Sequence, residues 1–417
     1  MSLKSRFLFP AGYKGNLSPI IDPKHELTKI DVQRLMDPKV LIINSKNLVE
    51  SIRVKQRYQK SLLGKKLKRK KKRNRSMKKL GLDLGTKHIV LSQKIDGKVR
   101  SKYEVNGYLV LPRSDSFTEQ LLIKQGVPYV TRGNQFIAIG SKAEQLAYSF
   151  NKTMRRPMAE GGISKTDDDA QEIIAIIIKS IIGKLDSDAI LYYCTTAKPV
   201  NSDYLNVDFH RKVVKLIVEG YNGESKINAF HINEARCLVL EEPGQAIGIS
   251  WGAGTVTVHA GVFGMPIFEF SVVGSGDFVD LEAAKRFGYD PLRPDANSSE
   301  TPTSICRRKE GMSLRKMPSD NIGRAIYVMY EILVENVVKN IVRGFNENKD
   351  KFRFDQPIPV VNAGGSSIPD GFLDMVSREF DKYKDEFTIP LGEIRHVKDP
   401  LLAVSRGCLI AAELHKE

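Results

Sequence analysis

From residue 80 onward, short apolar runs alternate with longer segments in which apolar residues recur every three or four positions. The short runs predict buried strands, and the periodic segments predict helices. The predicted strands are Leu80–Leu84, Ile89–Gln93, Ala189–Thr195, Ala246–Trp251, Val256–Phe263 and Pro359–Ala363. The predicted helices are Asp167–Leu185, Asp208–Val218, Ile322–Phe345, Asp370–Phe380 and Pro400–Leu414. This alternation is typical of an α/β protein.

The first 77 residues depart from this pattern, and we interpret them as a basic, poorly ordered extension. Residues 1–45 carry scattered glycine, proline and aspartate with weak periodicity, and only residues 46–62 favour a helix. In the segment Lys65–Lys79, 11 of 15 residues are basic. Charges this dense repel one another and favour an extended, solvated chain.

The formal net charge of +16 comes from this extension. Residues 1–79 contain 23 lysines and arginines against 5 acidic residues, whereas residues 80–417 contain 42 against 44. Three interpretations of Lys65–Lys79 stay open: binding to nucleic-acid phosphates, binding to an anionic membrane surface, or a solvated tail. A further alternative is that translation starts at Met77 and that residues 1–76 are not made.

The cysteines and the apolar runs indicate a cytoplasmic protein without an integral membrane segment. Cys194, Cys237, Cys306 and Cys408 are too widely spaced for a metal motif and predict buried, reduced thiols. The longest apolar run, near Ile173–Ile182, is too short to cross a bilayer and predicts a buried helix. The basic extension is one candidate for contact with a membrane surface, and the segment Gly107–Gln125 is another, although a strand of the small lobe is the favoured interpretation there.

The first candidate site is a glycine turn between the first two predicted strands. The sequence from Leu80 to Lys87 reads LGLDLGTK, so Asp83 ends a buried strand and Gly85 follows it. Glycine lets the backbone turn tightly and approach a ligand, and Thr86 adds a hydroxyl beside the lysine cation. A plain hairpin fits this sequence, and so does a phosphate cradle whose aspartate holds hydrated magnesium.

A second turn repeats this design about 170 residues later. The sequence AIGISWGAGTVTV, residues 246–258, places Gly252, Gly254 and Thr255 between two apolar strands. A repeated phosphate turn arises by chance far less often than a single copy. The pair therefore predicts two hairpins that grip a phosphate chain from both sides.

Two later segments extend the candidate site. The sequence VVNAGGSSIPDG, residues 360–371, runs from a buried strand into two glycines, whose bare backbone would let a flat ring lie against it. Near the end of the chain, Ala403, Gly407 and Ala411 recur at four-residue spacing. A helix with small residues on one face can pack very close to a neighbour.

The order of these elements resembles the actin, Hsp70 and sugar-kinase superfamily. Leu82–Thr86 matches its first phosphate motif, Gly252–Thr255 its second and Gly364–Ser366 its adenosine motif. The spans His231–Val239 and Pro400–Ala412 resemble its two connecting helices. Within the superfamily the chain is most similar to bacterial actins of the MreB and MamK type.

The resemblance covers residues 78–417 and implies the fold class. We expect an α/β fold with duplicated actin-like (ribonuclease H-like) lobes and a central nucleotide cleft. The first lobe is expected at 78–230, with the C-terminal helix 400–417 returning to it, and the second lobe at 231–399. Two stretches support the bacterial likeness: Arg155–Ser164 resembles an RP…GI segment, and Gly274–Asp280 resembles the segment after the second hairpin.

The resemblance also implies roles for individual residues. ATP or ADP would bind with Mg²⁺ between the lobes, with Asp83 beside the metal and Glu234 orienting the attacking water. The implied nucleotide contacts are Gly85, Thr86, Lys87, Gly252, Gly254 and Thr255 with phosphates, Asp277 with ribose, and Gly364, Gly365, Ser366 and Ser367 with adenine. The region Thr301–Met312 resembles the family's nucleotide helix only poorly, so no residue is carried over from it.

One position departs from the family pattern. The second motif of the family usually opens with an acidic residue, and here that position is Ser250. A serine keeps a hydrogen bond but loses the charge that helps to arrange the metal's waters. Because phosphoryl transfer depends on positioning and electrostatics, we expect nucleotide binding to persist and ATP hydrolysis to be slow or absent.

Three functions compete on this fold. Similarity to the MreB and MamK type favours a cytoskeletal protein that polymerises into filaments, for cell shape, organelle positioning or DNA segregation. The Ser250 departure favours a non-polymerising adaptor that uses the cleft as a nucleotide switch. A small-molecule kinase would need a general base, and no further carboxylate in the motifs recommends itself.

Overall fold

The computed structural model describes residues 77–113, 116–150, 152–183, 189–220, 227–242, 244–262, 265–293, 298–352, 354 and 356–415. The predicted helix at 46–62 and the basic segment as far as residue 76 lie outside these residues. The predictions for that extension therefore stay predictions.

The strands follow the predicted α/β alternation. In chain order they are β1 Lys78–Leu84, β2 His88–Ile95, β3 Lys98–Val105, β4 Tyr108–Pro112, β5 Tyr129–Arg132, β6 Gln135–Ile139, β7 Met158–Ala159, β8 Gly162–Ile163, β9 Ala189–Thr195, β10 Ile227–Asn233, β11 Gln245–Trp251, β12 Thr255–Val262, β13 Met265–Val273, β14 Ile358–Ala363 and β15 Leu391–His396.

The helices connect these strands. In chain order they are α1 Ser116–Gln125, α2 Gly140–Ser149, α3 Ala170–Ile182, α4 Val207–Glu219, α5 Glu234–Val239, α6 Gly276–Lys285, α7 Pro302–Glu310, α8 Asn321–Asn348, α9 Phe372–Lys382 and α10 Ala403–Leu414. No helix in the described ranges is both long and apolar enough to cross a membrane.

Within these ranges, two five-stranded sheets share one plan. The first has the order β10-β9-β1-β2-β3 and the second the order β13-β12-β11-β14-β15. Each begins with an antiparallel three-strand meander whose first strand then pairs in parallel with a later strand. A second parallel strand completes each sheet. The chain therefore builds the same α/β unit twice.

Each sheet has its own apolar core. In the first lobe, the isoleucine-rich face of α3 packs on the sheet together with α4. In the second lobe, α8 and α9 cover the sheet that carries the buried Trp251. A smaller three-stranded sheet, in the order β4-β6-β5, forms a separate cluster with α1 and α2.

The short helices α5 and α10 pack between the two sheets, and their contact is very close. A Cβ atom at Gly407 would lie 2.3 Å from the carbonyl oxygen of Cys237, and one at Gly81 would lie 2.2 Å from that of Ser405. The Sγ atoms of Cys237 and Cys408 are 3.5 Å apart. The predicted close packing is therefore confirmed at Gly407, since a larger side chain there would separate the helices.

Several predicted boundaries need correction. The closing helix begins at Ala403 instead of Pro400, because the residues from Pro400 to Leu402 form a turn. The helix predicted from Asp370 begins at Phe372. His231 belongs to β10, so the first connecting helix starts at Glu234, where Asn233 caps it.

Candidate functional site

The first predicted turn is a tight hairpin between β1 and β2. The Gly85 N–H donates to the His88 carbonyl oxygen at 3.0 Å and closes the turn. A Cβ atom at Gly85 would lie 2.7 Å from that same oxygen, so a larger residue would force the hairpin open. Asp83 stands at the end of β1, opposite Val90. The two predicted strands and the glycine turn that joins them are confirmed.

The Asp83 carboxyl group lies in an unusual environment. Burial raises its pKa to about 6, and the Cys194 thiol, which donates to Oδ1 at 3.3 Å, offsets part of that rise. A carboxylate in such a site lacks water and gains stability from a cation placed beside it. Asp83 is therefore suited to sit next to a metal ion.

The second predicted turn repeats the geometry of the first. The Gly252 N–H donates to the Thr255 carbonyl oxygen at 3.0 Å, as Gly85 does to His88. A Cβ atom at Gly252 would lie 2.9 Å from the Thr255 oxygen. The same hydrogen bond therefore closes both hairpins, and the same steric limit requires glycine at both.

The two hairpins face each other directly. A Cβ atom at Gly254 would lie 2.7 Å from Thr86 Oγ1 and 2.6 Å from the Gly161 nitrogen, both in the first lobe. A Cβ atom at Gly161 would in turn lie 2.6 Å from the Thr255 methyl carbon. Only bare backbone permits this approach, so the two lobes meet with their turns in contact.

A cavity of about 280 Å³ lies between the hairpins. Nearly all of the sequence-predicted site residues line it, namely Asp83, Gly85, Thr86, Lys87, Glu234, Gly252, Gly254, Thr255, Asp277, Gly364, Gly365 and Ser366. Ser367 does not line the cavity, because its buried hydroxyl turns back and donates to the Gly364 carbonyl oxygen at 2.8 Å.

The third predicted segment closes another wall of the cavity. Gly364 adopts a φ of 98°, and a Cβ atom there would lie 2.3 Å from the Trp251 carbonyl oxygen. The Ser366 hydroxyl donates to the Gly252 carbonyl oxygen at 2.7 Å. The segment after β14 is therefore fastened directly onto the second hairpin.

Glu234 enters the cavity at the first turn of α5. The Thr257 hydroxyl donates to its Oε2 at 3.0 Å, and Thr196 Oγ1 lies 2.8 Å from Thr257 Oγ1. Burial raises the pKa of Glu234 to about 8, and the charge of Asp83 adds to the rise. Two acidic groups, Asp83 and Glu234, therefore lie close together in the buried part of the cavity, which is called its floor below.

Ser250 lies on the same floor. It is 4% exposed, lines the cavity and pairs with Thr257 in the β11–β12 ladder. The acidic residue that the family pattern carries at this position would have faced the same cavity. The floor thus presents a hydroxyl there.

Two residues predicted to contact nucleotide, Lys87 and Asp277, each pair with a charged side chain of the opposite lobe. Lys87 Nζ lies 2.6 Å from Glu310 Oε1, and Arg156 Nη1 donates to both oxygens of Asp277 at 2.7 and 2.9 Å. Burial works against the charged form of Lys87, but Cys306 and Glu310 together hold its pKa above the ordinary value. These charged groups therefore bridge the cavity from side to side.

Helix α7 carries cavity residues that the sequence analysis left unassigned. Cys306, Lys309 and Glu310 line the cavity, within the region Thr301–Met312. Lys309 Nζ lies 2.7 Å from Asp280 Oδ1 and donates to the Gly276 carbonyl oxygen at 2.7 Å. The sequence signals were a Thr301–Ser304 capping box and the adjacent Lys-Glu pair, which mark a helix but not its position.

The cysteine prediction needs one correction. Cys194, Cys237 and Cys408 are buried and free, as predicted, but Cys306 is partly exposed because it faces the cavity. No group of three or more His, Cys, Asp or Glu side chains in the described residues could hold a metal ion by itself. Magnesium bound through one or two carboxylates and a ligand's phosphates needs no such group.

A family comparison covers most of the chain. Residues 77–412 match the family model described as Volactin. No curated protein matches the chain.

Solved structures share the fold. The structure "MamK double helical filament" has a TM-score of 0.60 at 17% identity, covering 82% of this chain and 100% of that one. The archaeal actin homologue Ta0583 has a TM-score of 0.52 at 15% identity, covering 81% and 100%. MreB 5 of Spiroplasma citri, bound to AMPPNP, has a TM-score of 0.53 at 17% identity, covering 80% and 96%. The predicted actin-like fold, of the MamK and MreB type, is confirmed.

Proposed function

The chain belongs to the Volactin family, and on that premise we propose that it is an actin-like protein that binds ATP or ADP with magnesium in the cleft and polymerises into filaments. The observation that carries the proposal is the contact between the two glycine hairpins. The two turns come together where Gly254 approaches Thr86, and glycine turns of this kind bind phosphates through backbone N–H groups.

The donor set suits magnesium. Asp83 and Glu234 supply carboxylate oxygens, and Thr86 and Ser250 supply hydroxyls around the same cavity. Hard oxygen ligands with room for water are what Mg²⁺ prefers. When bound, the metal would neutralise phosphate charge, and Asp83 would hold its waters while Glu234 orients a water molecule for attack.

Hydrolysis is proposed to be slow. An acidic group at position 250 would face the cavity beside Glu234, but Ser250 offers no negative charge there. A water positioned by Glu234 alone is held less well than one held by two charged groups. Nucleotide binding depends on the hairpins, so it persists when hydrolysis is weak.

Filament formation draws its support from similarity. MamK forms a double helical filament in its solved structure, and MreB 5 of Spiroplasma citri is bound to AMPPNP in its own. A protein of this fold with an intact cleft is a reasonable filament subunit. The Ser250 departure supports a second candidate, an adaptor that binds nucleotide and stays monomeric.

Two measurements on the purified full chain test these proposals. Titration with a fluorescent ATP analogue in magnesium buffer is expected to show saturable binding, and its absence would remove the nucleotide proposal. Pelleting and negative-stain microscopy with ATP are expected to show filaments. A chain that binds nucleotide but stays monomeric at micromolar concentrations, in every salt tried, supports the adaptor.

The basic segment Lys65–Lys79 is proposed to contact an anionic surface in the cytoplasm. Eleven basic residues supply enough charge for phosphates of nucleic acid or of lipid headgroups. Flotation with anionic vesicles and electrophoretic shift with DNA separate the two. The intact mass of the native protein shows whether residues 1–76 are present.

A further inference from the structure

The only tryptophan of the chain ends the strand that leads into the second hairpin. Trp251 stands between Ser250 and Gly252, is fully buried and does not line the cavity. Its indole Nε1 donates to Asn362 Oδ1 at 2.9 Å, and Asn362 is fully buried as well. The hairpin is therefore tied to β14 directly before Gly364–Ser366, which is called the glycine segment below.

Contacts of the main chain join the same two elements. A Cβ atom at Gly364 would lie 2.3 Å from the Trp251 carbonyl oxygen and 2.9 Å from its nitrogen, so the two backbones touch. The hydroxyls of Ser366 and Ser275 both donate to the Gly252 carbonyl oxygen, each at 2.7 Å. One oxygen of the second hairpin therefore fastens both the glycine segment and the residue that precedes α6.

A row of aromatic rings connects the indole to the last residue of the glycine segment. The Phe372 ring meets Trp251 edge to face, with centroids 5.0 Å apart, and meets Tyr330 in the same way at 5.8 Å. Tyr330 is fully buried, and its hydroxyl donates to the Ser366 carbonyl oxygen at 3.1 Å. Trp251 therefore holds the strand that enters the segment, and Tyr330 holds its end.

The glycine segment depends on such neighbours for its position. Gly364 and Gly365 line the cavity, and glycine loses more conformational freedom on ordering than any other residue. A segment that becomes ordered only when a ligand binds lowers the affinity by the entropy of that ordering. Because both ends are anchored in the core, the backbone offered to a flat ring is already ordered before the ligand arrives.

We propose that Trp251 and Tyr330 are positioning residues that hold the glycine segment ready for the base, and so make the cleft selective for a nucleoside triphosphate over a free triphosphate chain. In this role, which rests on the proposed nucleotide binding, Trp251 acts through Asn362 and the Gly364 backbone. The hydrogen bond that closes the second hairpin, from Gly252 N–H, does not involve the indole. Loosening the glycine segment therefore affects the base and leaves the phosphate turns in place.

Two conservative variants loosen the segment, and the first lobe offers a matched control. Tyr330→Phe removes one hydroxyl and keeps the ring, whereas Trp251→Phe removes the bond to Asn362 and keeps an aromatic side chain. Tyr193→Phe is the control, because Tyr193 is equally buried and donates to the Arg211 carbonyl oxygen at the same distance of 3.1 Å. Tyr193 lines neither this cavity nor the neighbouring one.

Competition against a fluorescent ATP analogue, with the purified full chain in magnesium buffer, gives affinities for ATP and for inorganic tripolyphosphate. Tyr330→Phe and Trp251→Phe are each expected to weaken ATP binding about fivefold, the equivalent of one hydrogen bond. Their affinity for tripolyphosphate is expected to change less than about twofold. In urea unfolding, Tyr330→Phe and Tyr193→Phe are expected to lose similar stability, yet Tyr193→Phe should keep the wild-type affinity for ATP.

The possible results separate this role from the proposed function. If the wild-type chain binds no ATP, nucleotide binding fails and the positioning role fails with it. If the wild type binds ATP and either variant keeps its affinity, the role of that residue alone is overturned. Equal losses for ATP and tripolyphosphate also overturn the role, because they would show that the phosphate turns were disturbed.

The control guards against a general effect of stability. A loss of ATP affinity in Tyr193→Phe as large as that in Tyr330→Phe would overturn the positioning role. Should Trp251→Phe fail to fold, Tyr330→Phe decides by the same criteria. If tripolyphosphate competes too weakly to measure, the ATP affinities of Tyr330→Phe and Tyr193→Phe decide: a loss in the first alone supports the role, and equal affinities overturn it.

Discussion

The two hairpins of the cleft are closed by the same backbone hydrogen bond and differ in charge. Gly85 and Gly252 each donate the hydrogen bond that closes the turn, at the same distance of 3.0 Å. Yet the first hairpin presents Asp83 to the cavity, and the corresponding strand end of the second presents Ser250. The second hairpin therefore keeps the shape of a phosphate turn without its carboxylate.

This difference separates two requirements that one motif usually meets together. Holding a phosphate chain depends on backbone N–H groups and on glycines that allow close approach, and both turns keep these features. Arranging a metal's water shell depends on carboxylates, and Asp83 and Glu234 supply them on the side of the cavity where Ser250 lies. We therefore expect changes to the glycines to reduce binding, and changes at position 250 to affect hydrolysis.

The largest effect is expected from Gly254→Ala. Its new methyl group would meet Thr86 Oγ1 and the Gly161 nitrogen, so the hairpins must separate. Overpacking of this kind costs about 1–3 kcal/mol, which corresponds to an about 5- to 150-fold loss of ATP affinity in a binding titration. Gly311→Ala is the control, because its nearest neighbour would be 4.0 Å away. An unchanged affinity of Gly254→Ala for ATP would contradict the interpretation that the two turns bind phosphates together.

The next prediction concerns the pH dependence of stability and compares one buried histidine in each lobe. His259 in the second lobe lies 2.7 Å from Glu269, whereas neither ring nitrogen of His210 in the first lobe has a partner within the described residues. Burial lowers the pKa of His210 to about 4. At pH values below about 6.5, the ordinary histidine pKa, His210 therefore binds more protons in the unfolded chain than in the folded one. The free energy of unfolding falls as the pH falls.

From about pH 7.5 to pH 5 this histidine is expected to remove about 2 kcal/mol of stability. The raised pKa values of Asp83 and Glu234 act in the opposite direction, so the comparison must be with His210→Leu. Urea unfolding at both pH values should show the wild type losing more stability than the variant. Equal losses would show that His210 accepts its proton freely in the folded state.

Restoring the missing charge should have a smaller, kinetic effect. Ser250→Asp is expected to raise steady phosphate release about tenfold, because one positioned group contributes at least about 1.4 kcal/mol to such a barrier. Ser250→Asn introduces a side chain of the size of aspartate without its charge, and it should release phosphate at the wild-type rate. Rapid release by the wild type, lost in Glu234→Ala, would show that the serine already suffices.

The smallest effects test whether the turns contribute equally. Thr86→Val and Thr255→Val keep the shape of two buried side chains and remove one hydroxyl each. Each is expected to weaken ATP binding about fivefold, the equivalent of one hydrogen bond of about 1 kcal/mol. Calorimetry on both variants would check this expectation. A large loss from one and none from the other would mean that a single turn holds the ligand.

Much of the cleft could be predicted because its parts are local. A strand that ends in Asp83, followed at once by Gly85 and Thr86, specifies a tight turn wherever the strand lies. The same holds for Gly252 and Thr255. The helix boundaries at Pro400 and Asp370 were less predictable, since a turn and a helix begin with similar residues. Ser367 was misplaced because one rotamer decides which way a hydroxyl points.

By itself the sequence determined the two apolar strand–turn–strand units, the close-packing face at Gly407 and the absence of an acid at position 250, since these depend on neighbours a few residues apart. Only the tertiary structure decided that Lys87 meets Glu310, that Arg156 meets Asp277 and that α7 lines the cavity. Each of those partners lies more than 100 residues away along the chain. Local patterns fix turns and buried faces, whereas the packing of two lobes selects which charged side chains face each other.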